Sequence, residues 1–561
     1  MKHSQNYDHY YKYDEITAIL EGYAEKHSDI AELTHIGVTA QGRKIWLMQI
    51  TDKSTGDYSE KPAYYVEANI HAGEVTGCMT VMFFLDTIFT NRDSAEIKEL
   101  LKNYTIYAVP RLSPDGSEHY LTTEDTIRSV PKFYPYDELQ PGLVRKDMDG
   151  DGVARMMRVR SPYGLWKKSE KDDRLMVRRK PDETEGEFYS IFDEGYIEDF
   201  DGYNVKESPA KFGYDFNRNY PIGWETEDKQ RGAGKLPMGS EETRANSEFL
   251  LNHPNVCFVL DMHTAGGQNL YTPGYKSAKK SIKEDIDLYK ALGGIAKEEN
   301  GYPVLNVFDD YMPASASVTY GGFDDFCHHV LGIPAIVIEC WDLAVRAGID
   351  VQYPPKENVS IEELEMNAEK YLKWADENVS PEEGFKNWTE FDHPQLGKVE
   401  IGGYNLKYFQ QNPPIKFLMQ EIEKHTRFML RAIKTFPKLH AEKFEAKEIG
   451  GGVYKVEAVI GNRGYMPTYV FKEALKFKSL KGIKVALEGG EIMDGKAVQD
   501  IGHLEGMSGM NVRSNGLVSF GYHGAPMFKT LTWIVKGNKG DKLTLEVNSQ
   551  KAGNIKTEIT L

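Results

Sequence analysis

An imidazole and a carboxylate stand three residues apart in His71-Ala-Gly-Glu74. Two histidines and one carboxylate converging on one ion form a common catalytic zinc set. His-x-x-Glu alone is a weak signal, because the spacing also arises by chance in solvated turns. Its setting strengthens it. Ala63 to Ile70 is rich in β-branched and aromatic side chains without a breaker, the pattern of a buried strand, and Cys78 to Thr90 is an apolar run long enough for a helix. The pair therefore lies in a turn at the C-terminal end of a strand, where open α/β sheets place their ligands.

The missing ligand should also sit at a strand end. Val256-Cys-Phe-Val-Leu-Asp-Met-His263 is an apolar run that terminates in a histidine, which makes His263 the third candidate. A third run, Pro334-Ala-Ile-Val-Ile-Glu339, is apolar up to a carboxylate that is costly to bury without a partner. A general base beside a metal explains Glu339 better than a structural role does.

In order and spacing, His71-Ala-Gly-Glu74, Asn217-Arg218, His263 and Glu339 resemble the pattern of the M14 zinc carboxypeptidases, the funnelins. The resemblance runs from about Tyr10 to about Asp376, with the interval between Glu74 and Asn217 stretched by an insertion. It implies an α/β fold, a mixed and mostly parallel central sheet with helices on both faces. It also implies one zinc per chain held by His71, Glu74 and His263, and hydrolysis of the C-terminal peptide bond of a peptide substrate. The ion would lower the pKa of its water towards ~7 and Glu339 would move the proton to the leaving amine.

In the same resemblance Asn217 and Arg218 hold the substrate's terminal carboxylate, for which the planar guanidinium fork is suited. An upstream arginine stabilises the oxyanion; Arg145, in Val144-Arg-Lys146, is the preferred candidate and Arg158 the alternative. A substrate-binding tyrosine is also expected. Anchoring on Gly321-Gly322 puts Ser317 at its place, and of the nearby phenols Tyr320 is favoured over Tyr311. Gly321-Gly-Phe-Asp-Asp-Phe326 resembles the family's segment at the floor of the specificity pocket, with Asp324 at the selecting position. A carboxylate there would favour basic C-terminal residues; the alternative is that Asp324 caps a helix over 325 to 330.

The rest of the chain sets bounds on these readings. With 85 acidic against 68 basic residues the formal charge is −17, which argues against nucleic acid or an anionic membrane as the main partner. The first ten residues hold no apolar leader core and no run reaches membrane-spanning length, so the expectation is a cytoplasmic protein. Cys78, Cys257, Cys327 and Cys340 are scattered through apolar segments and read as reduced core thiols. Alternation along the strand should turn Cys340 away from Glu339.

Residues 1–390 read as the catalytic unit. Within it, about 120–213 is a charged, Gly- and Pro-rich insertion decorating the site. Inside that insertion Asp147, Asp149 and Asp151 have the alternation of a calcium loop, although Arg158 occupies the twelfth position, where an EF-hand needs a glutamate. Residues 391–440 read as a linker and helix. Residues 441–561, with short alternating runs between Gly- and Asn-rich turns, read as a β-sandwich. Two other functions use the same metal set, an amidase or endopeptidase of cell-wall peptides and an acyl-amino-acid deacylase. A zinc-dependent binding protein would not need Glu339.

Overall fold

A computed structural model describes residues 1–312, 318–514, 517, 519–523 and 526–561. Its centre is an eight-stranded sheet in the order Ala31–Val38, Lys44–Ile50, Thr105–Val109, Ala63–Ala68, Val256–Thr264, Ala335–Cys340, Gln268–Tyr271 and Val304–Asn306. The middle four strands run parallel, as do the last two; the remaining pairings are antiparallel. Strands covered on both faces read as continuous apolar runs rather than alternating ones. Every residue of Ala63–Ala68 and Val256–Thr264 is buried accordingly.

Helices cover both faces. On one, Val75–Thr90, Lys283–Asn300 and Ile415–Ala432 pack over Tyr64, Val66, Leu260 and Ile338. On the other, Glu241–Asn252 and Phe323–Phe326 pack over Tyr65, Val259 and Ala335. Strand alternation assigns each residue to a face: Cys340 enters the first core, while His263 and Glu339 share a face with Val259 and Ala335. All four cysteines are buried and free. Among the described residues no helix is long and apolar enough to cross a membrane.

Two stretches differ from the sequence expectation. The segment 120–213 is not merely loop: Met156–Arg160, Trp166–Lys168, Met176–Arg178 and Tyr189–Asp193 form strands. They join Phe385–His393 and Gly397–Tyr404 in a six-stranded sheet. Residues 391–404 therefore are not linker, since Glu400 and Ile401 pair with Arg158 and Met157. These strands hide from pattern reading because they are three to nine residues long and carry charges on their faces. The helix Ile415–Ala432 buries Leu418, Ile422, Phe428 and Met429 in the main core.

Residues 439–560 form two four-stranded antiparallel sheets that enclose Val456, Val485, Trp533 and Leu545. A buried lysine ties this unit to the main sheet. Lys551 Nζ donates to Val256 O at 2.5 Å, and Cys257 Sγ donates to Lys551 O at 3.1 Å, both at the start of the strand that ends in His263.

Candidate active site

The chain leaves the sheet at Asn69, whose φ of 61° is a left-handed conformation that asparagine tolerates. Asn69 Nδ2 donates to His71 O at 3.3 Å, which ties down the turn carrying the imidazole. Two residues after Val75, Gly77 lets the helix close on the neighbouring strand, since a Cβ there would lie 2.7 Å from Met262 O. That approach brings Glu74 to the end of the His263 strand, where Thr264 N donates to Glu74 Oε2 at 3.1 Å.

One atom each from His71, Glu74 and His263 lies within 4.8 Å of the other two, and all three residues are buried. His71 Nδ1 is 2.9 Å from Glu74 Oε1, His263 Nδ1 is 2.9 Å from Glu74 Oε2, and the two Nδ1 atoms are 3.1 Å apart. The outer ring nitrogens are both held by carboxylates: His71 Nε2 by Asp215 at 3.1 Å and His263 Nε2 by Asp261 at 2.8 Å. Carboxylates behind ligating histidines fix the tautomer that leaves the inner nitrogen's lone pair for a metal. The donor set and its supports fit zinc.

The charges in this cluster are strongly interdependent. Burial works to raise the Glu74 carboxyl, but His71 and His263 hold it below the usual range. For His263, burial is overridden by Asp261 and Glu74, so its imidazole is raised. Glu339 stands apart: burial, aided by Glu74, pushes it up to about 8, and its Oε2 is buried with no hydrogen-bond partner among the described residues. A carboxyl poised near neutrality beside a metal set has the properties of a general acid and base.

The arginine that joins the site is Arg128, which the sequence reading missed. Its Nε donates to Asp215 Oδ2 at 2.9 Å and its Nη1 reaches Glu74 Oε1 at 3.4 Å. Segment 127–130 is threaded against the metal turn by Ala72 N donating to Arg128 O at 2.7 Å and Ser129 Oγ donating to Ile70 O at 3.0 Å. The available signal was a lone arginine between Ile127 and Val130, two apolar residues in an otherwise polar stretch. The preferred candidate, Arg145, instead donates to Ala154 O and pairs with Asp193 at 3.5 Å. Arg158 forks onto Glu400 at 2.8 and 3.0 Å and lies over the Trp388 ring at 4.6 Å, so it is a strut of the six-stranded sheet.

Asn217 and Arg218 follow Asp215 on a single helical turn, Phe216–Arg218. Asn217 Oδ1 accepts from Phe323 N at 2.8 Å, which orients the amide and leaves its NH₂ to donate elsewhere. Arg218 Nη1 donates to Asn217 O at 2.7 Å. Asp324 lies beside them: a Cβ on Gly322 would be 2.8 Å from Asp324 Oδ1 and 3.7 Å from Asn217 Oδ1. Gly322, not Asp324, occupies the N-cap of the helix Phe323–Phe326, and Asp324 Oδ1 accepts from Asp325 N at 2.9 Å within its first turn. Burial pushes Asp324 up to about 6.

Of the phenols, Tyr320 donates its backbone N–H to Gln230 Oε1 at 3.1 Å and sets its ring against Gly223. Tyr311 is the one that feels the site: the Glu339 charge, then burial and the Glu74 charge, push its hydroxyl above the ordinary range. Ser317 lies outside the described residues. The acidic loop already has its counter-ion. Asp147, Asp149 and Asp151 converge, and Lys386 Nζ sits on Asp149 at 2.8 Å and on Asp151 at 2.6 Å, so the loop whose alternation resembles a calcium loop is paired with a lysine.

Parts of the chain are similar to known proteins. Zinc carboxypeptidase A 1 of Drosophila melanogaster is 34% identical over 130 residues, 23% of this chain and 30% of that protein. Carboxypeptidase B of Astacus astacus is 29% identical over 118 residues, 21% of this chain and 37% of that protein. Carboxypeptidase O of Bos taurus is 22% identical over 289 residues, 50% of this chain and 57% of that protein. The chain thus spans between about a third and somewhat over half of the length of these relatives. Residues 438–560 match a domain of unknown function (DUF8731). Residues 16–367, more than half of the chain, match the zinc carboxypeptidases, and the protein belongs to that family.

Proposed function

We propose that this protein is a zinc-dependent carboxypeptidase that removes basic residues from the C-termini of peptides. The observation that carries the reading is the juxtaposition of the Glu339 carboxyl, whose buried Oε2 has no hydrogen-bond partner among the described residues, with the His71, Glu74 and His263 donor set and the Arg128 guanidinium. Zinc held by those three residues supplies Lewis acidity, polarising a carbonyl and letting water ionise near neutral pH.

The chain's own groups do the rest. Asn217 and Arg218 pair with the substrate's terminal carboxylate, which selects a chain end over an internal bond. Arg128, anchored on Asp215, faces the negative charge that develops on the scissile carbonyl oxygen. Glu339 takes a proton from the attacking water and passes it to the leaving amine. Asp324, desolvated beside Asn217, gains most from a guanidinium or ammonium brought in by the departing residue.

The test loads purified protein with zinc and digests a mixed peptide library read by mass spectrometry. It then compares matched peptides ending in Arg and in Leu on wild type and Asp324→Ile. Single-residue trimming with a preference for Arg that Asp324→Ile reverses is the expected result. Internal cleavage would overturn the exopeptidase reading, and a wild-type preference for Leu would overturn the role of Asp324.

A further inference from the structure

Glu74 opens the helix Val75–Thr90 without capping it. It sits at the N-cap position, yet its side chain makes no capping hydrogen bond, because its two oxygens face His71 and His263. The first N–H groups of a helix have no partner inside it, and here every residue from 71 to 80 is buried away from solvent. Another group has to accept in Glu74's place.

Asn412 does so. Its Oδ1 accepts from Thr76 N at 3.1 Å and from Thr76 Oγ1 at 2.9 Å, across 336 residues of sequence. Its Nδ2 donates to Gly73 O at 2.8 Å. Counted from Glu74 at the N-cap, Thr76 is the second helical residue, and its N–H is one that a capping side chain ordinarily takes. A single amide thus grips the main chain on both sides of the metal ligand. We infer, building on the zinc carboxypeptidase reading, that Asn412 is the positioning residue for Glu74: it caps the helix in that residue's stead, fixes Gly73 ahead of it, and leaves the Glu74 carboxylate to the metal.

The amide has one possible orientation. A main-chain N–H only donates and a carbonyl only accepts, so the oxygen must face Thr76 and the nitrogen Gly73. Asn412 is fully buried, and its own N–H donates to Lys407 O at 3.0 Å. Its Nδ2 also reaches Lys407 O at 3.1 Å and the Tyr120 hydroxyl at 3.2 Å. Both lone pairs and both hydrogens are spent within the protein, which leaves nothing for a substrate. The role is therefore one of placement.

The surroundings are held as firmly. Lys407 Nζ donates to Tyr120 O at 2.8 Å and to Thr123 O at 2.6 Å. A Cβ on Gly73 would lie 2.9 Å from the Tyr120 ring and 3.0 Å from Gln411 Nε2. Gly73 has no room to drift towards this segment, and the bond to Asn412 keeps it from drifting away. Asn412 lies beyond residue 367, where the match to the family ends. It closes the turn Leu406–Gln411, which follows the strand Gly397–Tyr404 of the six-stranded sheet. The added sheet is in this way tied to the turn that carries His71 and Glu74.

The experiment measures zinc affinity of the full chain by chelator competition, and melting of the metal-free protein, for wild type and two asparagine variants. Asn412→Ala removes the grip on Gly73 and Thr76. Asn462→Ala is the control. Asn462 is likewise buried and its amide ties main chain in the C-terminal unit, accepting from Lys438 N at 3.0 Å and donating to Met466 O at 2.8 Å. Both variants should melt lower than wild type, since each leaves buried main-chain groups unpaired. Zinc affinity should fall by roughly 10- to 100-fold in Asn412→Ala, the range for losing a group that orients a metal ligand, and stay within about twofold in Asn462→Ala. Wild-type zinc affinity in folded Asn412→Ala, or equal weakening in both variants, overturns the role. Should Asn412→Ala fail to fold, Thr76→Val deletes one hydrogen bond to Asn412 Oδ1 with little change of shape and should weaken zinc several-fold. Unchanged affinity in that variant overturns the role likewise. If the wild-type protein binds no zinc, the metal reading itself fails and this inference with it.

Discussion

His263 and Glu339 are register partners on adjacent parallel strands, so their backbones run side by side at about the 4.8 Å strand spacing and their side chains leave the same face of the sheet. The proposed metal ligand and the proposed proton carrier are thereby fixed to each other by main-chain hydrogen bonds rather than by loops. Glu339 makes no contact needed to hold the donor set together. Glu339→Gln should therefore retain one zinc per chain while turnover falls by roughly 10²- to 10⁴-fold. Elemental analysis and peptide kinetics on the same sample check this, and a variant that keeps most of the wild-type turnover removes Glu339 from the chemistry.

The two arginines make opposite predictions. Arg128→Ala removes the donor proposed to face the developing oxyanion, and kcat should drop by about 10²- to 10³-fold with a much smaller change in KM. Arg145→Ala removes only the contacts to Ala154 and Asp193 and should leave kcat within about twofold. Comparable losses of kcat in the two variants would show that Arg128 has no special place.

Asp261 holds His263 Nε2 at 2.8 Å and, in the proposed zinc site, would act on the ion through that ring. In Asp261→Asn the amide orients the ring without the charge, and zinc affinity should fall by roughly 10- to 100-fold. The charges of Asp261 and Glu74 raise His263 despite its burial, and zinc loading must displace the proton they hold there. Wild-type affinity should therefore weaken as pH is lowered from about 8 to about 6. Losing Asp261 lowers the imidazole pKa, so in the variant this weakening should begin at a lower pH. Chelator competition across that range measures both effects, and an unchanged pH midpoint would discount the pairing.

A test of stability lies away from the metal. Burial in the first turn of Glu241–Asn252 pushes Glu242 up to about 7, above the value of about 4.3 for an unfolded chain. A raised carboxyl contributes stability that is present below the unfolded pKa and lost as pH rises through the folded one. Glu242→Gln should therefore stabilise the fold at about pH 8 by at most about 4 kcal/mol, raising the melting temperature there, and give no gain near pH 4. Thermal unfolding at the two pH values decides it; an equal effect at both would mean that ionisation of Glu242 costs the fold nothing.

The sequence by itself determined the parts that are local. Mainly apolar runs leading to His71, His263 and Glu339 announce strands buried on both faces, and a strand's end is a fixed place in an open sheet. Strand alternation likewise sent Cys340 to the opposite core from Glu339. Tertiary structure alone decided what is carried by irregular chain or by partners far apart. Asp215 reaches His71 across 144 residues and Arg128 reaches Asp215 across 87. Arg158 meets Glu400 across 242. Lys386 takes the acidic loop from a distance of 237 residues, so that loop's own spacing could not reveal its counter-ion. Periodicity records which face of an element is buried, and it holds no information about which distant loop is laid across that face.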